Sequence, residues 1–144
     1  MKKKSGFTIV ELLLSVAVIM IFAGVTLPLY YRLQIQSDLD TTVHTLVRSI
    51  RRAQILAQAV KEDSKWGIRM NVGEITIFKG NSYAGRDSDF DEVFAIPTTV
   101  AFSGLQEVTF AKFTGKPQQT GTITCSTSNA NKSITLNAKG ILSY

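Results

Sequence analysis

Two hydrophobic periodicities divide the chain. Residues 12–31 form a run of twenty positions without a charge. Val16, Val18, Ile19, Ile21, Phe22, Val25 and Leu27 fall on every side of a helical projection. About 20 apolar residues in a helix cross a hydrocarbon core roughly 30 Å thick, and a helix without a polar face has no reason to lie at a water interface. The next segment is amphipathic. Leu39, Val43, Leu46, Ile50, Ala53, Ala57 and Val60 are spaced 4, 3, 4, 3, 4 and 3, which is one apolar stripe on a helix. No strong breaker precedes Asp63-Ser64, so the pattern predicts one helix from the apolar span to about Val60. Pro28 lacks an N–H and predicts a kink, and Gly24 weakens the same stretch.

After Lys65 the period changes to 2. Trp66, Ile68 and Met70 alternate with Gly67, Arg69 and Asn71. Val72-Gly73 reads as a turn, and Ile75 and Ile77 return as the second strand of a hairpin. Residues 81–92 are polar and glycine-containing and read as a loop. Residues 93–96 and 99–102 read as short strands on either side of a bend at Pro97. Further strands are expected over 108–113, 122–127, 133–136 and 141–143. A helix followed by strands predicts an α+β fold, with the long helix packed on one face of an antiparallel sheet.

Composition narrows this picture. The 144 residues allow one globular domain, and 44% hydrophobic with 19% charged residues exclude a wholly disordered chain. The single cysteine, Cys125, cannot form an internal disulfide and is expected to be a free thiol. The net charge of +5 is concentrated at the start: without the first six residues, which hold Lys2, Lys3 and Lys4, only +2 remains. That basic start before an apolar run keeps the N-terminus cytoplasmic and places the rest across the membrane.

A cleavable secretory signal or a plain single-pass anchor would share this pattern. The run exceeds the usual 7–15 residues of a signal core, no A-x-A-like cleavage site follows it, and Glu11 interrupts its start. A carboxylate within a span is costly and by default functional. A cut before Phe7 would create an α-ammonium four residues from Glu11. Copies staggered along one axis could then pair the amine of one with the carboxylate of the next.

The segment Lys4-Ser5-Gly6-Phe7-Thr8-Ile9-Val10-Glu11-Leu12 resembles the class III signal of type IV pilins and pseudopilins. The resemblance implies a leader of residues 1–6, cleavage after Gly6 by a prepilin peptidase, and methylation of the Phe7 amine. It also implies assembly directed by Glu11 and a filament-core helix over 7–31 that loosens near Gly24 and Pro28. The helix's second half would span 32–62 and the β domain 63–144. Implied partners are other pilins or pseudopilins, the peptidase, an inner-membrane assembly platform and membrane lipid. The expected location is the cytoplasmic membrane, with an extracytoplasmic C-terminal domain that enters a pilus or pseudopilus.

Val47-Arg48-Ser49-Ile50-Arg51-Arg52-Ala53-Gln54 is similar to the second helical segment of the GspH/FimT minor pilins and pseudopilins. Thr120-Gly121-Thr122-Ile123-Thr124, Ile134-Thr135-Leu136 and Lys139-Gly140-Ile141 are similar to their C-terminal strands. Some members bind DNA, which makes a DNA-uptake subunit the alternative function. Ile141 stands where such members often carry arginine. Arg48, Arg51 and Arg52, off the apolar stripe, are either phosphate contacts or a solvated or subunit-facing polar surface.

Asp87, Asp89 and Asp91 alternate like calcium ligands, but Glu92 replaces the glycine an EF-hand loop requires, so a solvated acidic loop is the simpler reading. His44 has no second histidine or cysteine partner for a zinc site. No nucleotide-binding motif or nucleophile–histidine pair is present in the sequence. No cofactor is expected, and the chain reads as a structural protein, not an enzyme.

Overall fold

In the computed structural model, residues 6–143 are described, apart from the side chains of 25–28. Helix α1 runs Ile9–Gln58. Eight strands follow: β1 Trp66–Asn71, β2 Glu74–Lys79, β3 Asp87–Ala95, β4 Ala101–Gly104, β5 Glu107–Phe110, β6 Gly121–Ser126, β7 Asn131–Leu136 and β8 Leu142–Ser143. This is an α+β fold with a long N-terminal helix and antiparallel strands. The chain divides into two compact units, one up to Gln34 and one from Ile35 onward.

The second unit holds the core. The strands form two four-stranded antiparallel sheets, ordered β3-β2-β1-β5 and β4-β6-β7-β8, where the sequence predicted one. The chain crosses between them three times, at 96–100, 105–106 and 111–120. Pro97 lies at the first crossing, and buried Ile96 and Val100 anchor either side. Both sheets share one core with the helix: Leu39, Leu46 and Ile50 pack with Ile68 and Ile77 of the first sheet and Ile123 and Ile134 of the second. A helix covered by two sheets needs a wider apolar arc than one stripe supplies. Ile35, Val47 and Leu56 widen it, and Thr42 and Ser49 are buried beside them. Thr42 is tolerated because its hydroxyl donates to the Asp38 carbonyl at 2.8 Å.

The stripe ends earlier than its spacing suggests. Val60 is outside the helix, in the left-handed region (φ 51°, ψ 36°). Glu62 and Asp63 also have positive φ, a conformation that costs a non-glycine residue roughly 1–2 kcal/mol. The turn brings Trp66 under the helix end, where its indole N–H donates to the Lys61 carbonyl at 3.0 Å. The segment after β5 closes the same end: the Phe113 N–H donates to the Ala57 carbonyl at 3.2 Å, satisfying an acceptor that a helix C-terminus leaves open. That turn, with Phe113 at φ 65°, is why β5 stops at Phe110 rather than at 113.

The hairpin of β1 and β2 has the expected register, with Ile68 opposite Ile77 and Met70 opposite Ile75. Gly73 at φ 85° makes its two-residue turn. The reading of 81–92 as a loop is corrected from Asp87 onward, because β3 begins there. β3 is an edge strand with a register shift opposite Ile77 and Lys79. Charges and a bulge are the devices that keep an edge from pairing with other chains, and they make such a strand look like a loop in sequence. Residues 81–86 do form a loop. Tyr83 packs edge-on against Phe78, ring centroids 5.7 Å apart, with the Arg86 guanidinium 3.8 Å from the Tyr83 ring centre.

Cys125 lies on β6 and is fully buried. Burial pushes its thiol up to about 11. Because the thiolate is the reactive form, native protein at pH 8 should not react with a thiol reagent. Labelling should appear only in step with unfolding by urea. Rapid labelling of folded protein would show that the second sheet opens locally.

Candidate functional site: the N-terminal segment and the domain's arginine face

The first unit begins with a helix cap. Thr8 precedes α1, and the Glu11 N–H donates to the Thr8 hydroxyl at 3.3 Å and to its carbonyl at 3.1 Å. Thr8-Ile9-Val10-Glu11 is the T-x-x-E pattern of a capping box, a legible signal that attention to the carboxylate alone overlooks. Glu11 is the acidic residue of the first helical turn, where the helix dipole favours a negative charge. Its position therefore lowers the cost of a carboxylate at the edge of an apolar span. Further along, the Ser15 hydroxyl donates to the Glu11 carbonyl at 2.8 Å, which removes another unsatisfied polar group.

The side chains around Glu11 are bare. Phe7 is 80% exposed, and Ile9, Val10, Leu12, Leu13 and Leu14 are all exposed. The helix is long and apolar enough to cross a membrane, and none of that apolar window is buried within the chain. Such a surface needs lipid or other apolar helices against it. Gly6 has open space around it, and so has Gly24; neither is required by close packing inside the chain. Lys2, Lys3 and Lys4 lie outside the described residues, and so does the side chain of Pro28, on which the expected kink rests.

In the second unit, Arg48, Arg51 and Arg52 are exposed on α1. Their situations differ. Arg52 forms a two-pronged contact with Glu92 of β3, Nε to Oε2 at 2.5 Å and Nη2 to Oε1 at 2.7 Å. The guanidinium's hydrogen bonds hold the Glu92 carboxyl below its ordinary 4.5. Arg48 and Arg51 have no ion pair among the described residues. The sequence could not show that Glu92 engages one arginine and leaves two, because the partners are forty positions apart.

That pairing has a pH signature. A depressed carboxyl stabilises the fold above its unfolded value and loses that contribution as pH falls through the folded value. Glu92→Gln should therefore cost up to about 1 kcal/mol at pH 7, as expected of an exposed pair. The gap between parent and variant should shrink below pH 4.5. Urea melts at several pH values measure it; a gap that widens on acidification would contradict the assignment.

The acidic alternation lies on β3, not in a chelating loop. Asp87 pairs with Lys79 at 3.4 Å and Asp91 with Arg86 at 2.7 Å, so two of the three candidate calcium ligands are already engaged by cations of the chain. The described residues contain no group of three or more histidine, cysteine or acidic side chains arranged to hold a metal ion. His44 is exposed, near the Asp40–Lys132 pair, whose Oδ1–Nζ distance is 2.6 Å. Ile141 is exposed at the C-terminal end.

No solved structure matches the chain. Residues 1–27 match a family model described as the prokaryotic N-terminal methylation motif. The matched stretch contains Gly6, Phe7, the Thr8 cap and Glu11, and most of the uncovered apolar helix. At its N-terminus the chain thus bears the signal of type IV pilins and pseudopilins.

Proposed function

We propose that this chain is a minor pilin or pseudopilin, a structural subunit of the GspH/FimT kind in a type IV pilus or a type II secretion pseudopilus. The observation that carries the reading is the methylation motif at residues 1–27. The bare apolar helix and the compact domain beginning at Ile35 supply the two parts such a subunit needs. A prepilin peptidase cuts after Gly6. The subunit then waits in the cytoplasmic membrane as a single-pass protein, with its β domain on the far side. An assembly platform draws it out, and the apolar helices of neighbouring subunits replace lipid around residues 9–31. The protein's work is assembly, not catalysis.

The buried features of the domain fit that role, because they support packing of the helix against both sheets. The GspH/FimT assignment draws on the arginine-bearing helix segment around Ile50 and on the β6–β7 pairing, in which Ile123 stands opposite Ile134.

Processing provides the test. Mature protein should begin at Phe7 with a methylated amine. A bulky residue at position 6, as in Gly6→Val, should block the cut and leave Lys2, Lys3 and Lys4 in place. Intact-mass measurement of assembled protein decides the matter, and retention of the leader in assembled wild-type protein overturns the reading.

A further inference from the structure

The exposed face of α1 in the second unit carries two depressions that share Arg48 and Arg52. Arg51, Ile55 and Leu56 complete one, of about 280 Å³. Thr45, Ser49 and Phe94 complete the other, of about 210 Å³. Both offer apolar floor: Ile55 is 62% exposed, and Phe94 comes up from β3. Arg52 is a fixed wall, held by Glu92. Arg48 and Arg51 are three residues apart, hence neighbours on one helical face. Two like charges side by side repel, and nothing among the described residues neutralises them.

The surroundings select the partner. A polyphosphate would meet Glu92, which holds Arg52 at the groove wall, and it would leave the apolar floor uncovered. A second copy of the domain has little to offer. Among its described carboxylates only Glu62 and Asp89 lack a side-chain hydrogen-bonding or ionic partner within the chain, and they lie on separate segments. What fits is a segment with two neighbouring carboxylates, each able to take a guanidinium two-pronged, flanked by apolar side chains that fill the depressions.

We propose that the groove beside Arg48 and Arg51 docks an acidic, apolar segment of a different protein subunit. The proposal rests on the assembly reading for who that subunit is, and on the groove alone for its chemistry.

The test uses the full chain in zwitterionic lipid nanodiscs. The probes are a fluorescent amphipathic helical peptide with Glu at positions i and i+3 beside leucines, its Gln-for-Glu counterpart, and a short DNA duplex. The Glu peptide should bind saturably, the Gln peptide at least tenfold more weakly, and Arg48→Gln/Arg51→Gln should weaken the Glu peptide at least tenfold. Absence of Glu-peptide binding, equal binding of the Gln peptide, an unaffected double variant, or DNA that binds more tightly and displaces the peptide each overturns the proposal.

In cells, a photo-cross-linking residue at position 55 should form adducts with a carboxylate-rich segment of another subunit. Adducts only with lipid or with a second copy overturn it. Cleavage before Phe7 is read on the same wild-type protein. Peptide binding without cleavage removes the assembly reading and keeps the groove; cleavage without peptide binding removes only the groove.

Discussion

Ile50→Asp should unfold the domain that begins at Ile35. Ile50 is fully buried on α1, inside the core shared by both sheets. Truncating a buried isoleucine alone costs about 2–5 kcal/mol. Aspartate adds an ionisable group with no cation in reach, and an uncompensated buried charge brings the loss to a level comparable with the roughly 5–15 kcal/mol margin of a typical domain. A fragment beginning near Arg32 suits the measurement, since the unit from Ile35 onward carries its own core; the parent fragment should be a folded monomer. Ile55→Asp is the control. That residue is five positions along the same helix but 62% exposed, and its replacement should shift stability by no more than about 0.5 kcal/mol. Equal melting of the Ile50 variant and the parent would mean that the helix does not pack as described.

Glu11→Val should separate insertion from assembly. Removing a carboxylate from the edge of an apolar span leaves membrane insertion intact or improved. Cleavage should continue, because the cut lies four residues earlier. Entry of cleaved protein into filaments or a minor-subunit complex should fall tenfold or more. The expectation follows from the proposed pairing of this carboxylate with the Phe7 ammonium of a neighbouring copy, since breaking a buried pair costs about 3–5 kcal/mol. The Thr8 cap introduces a second role for Glu11 that must be distinguished. Glu11→Gln keeps the T-x-x-E/Q capping pattern and removes the charge. If Gln assembles like the parent while Val does not, helix capping explains the residue and the pairing argument fails. If Val itself is incorporated normally, both explanations fail, and two readings remain: Glu11 is read by the assembly platform, or the chain is a tip subunit with no lower neighbour that needs the carboxylate.

The arginine face connects these tests to the docking proposal. Ile55→Asp leaves the fold intact by expectation but places a carboxylate on the groove floor beside Arg51. The variant therefore provides folded protein with an altered docking surface, so its effect on assembly can be read without loss of the domain.

The sequence by itself determined the parts whose signals are local. The uncharged run of 12–31, the Gly6-Phe7 junction and Glu11 lie within one short stretch, and their pattern depends on no distant contact. The stripe from Leu39 to Ala57 and the hairpin around Val72-Gly73 are equally local, because periodicity and a two-residue turn act over a few positions. Tertiary structure alone decided the rest. Whether the strands formed one sheet or two depended on the crossings after β3, β4 and β5, the first of them at Pro97, and the alternation within each strand is the same in either case. The acidic stretch of β3 became a strand because β2 offered it an edge, against the poor strand preference of Asp and Ser. Val60 left the helix where Phe113, brought from a distant position, closes its end on the Ala57 carbonyl. Arg52 was separated from Arg48 and Arg51 by Glu92, a partner brought from forty positions away. Long-range contacts of this kind leave no periodic trace, so the groove became visible only once the helix and β3 were side by side.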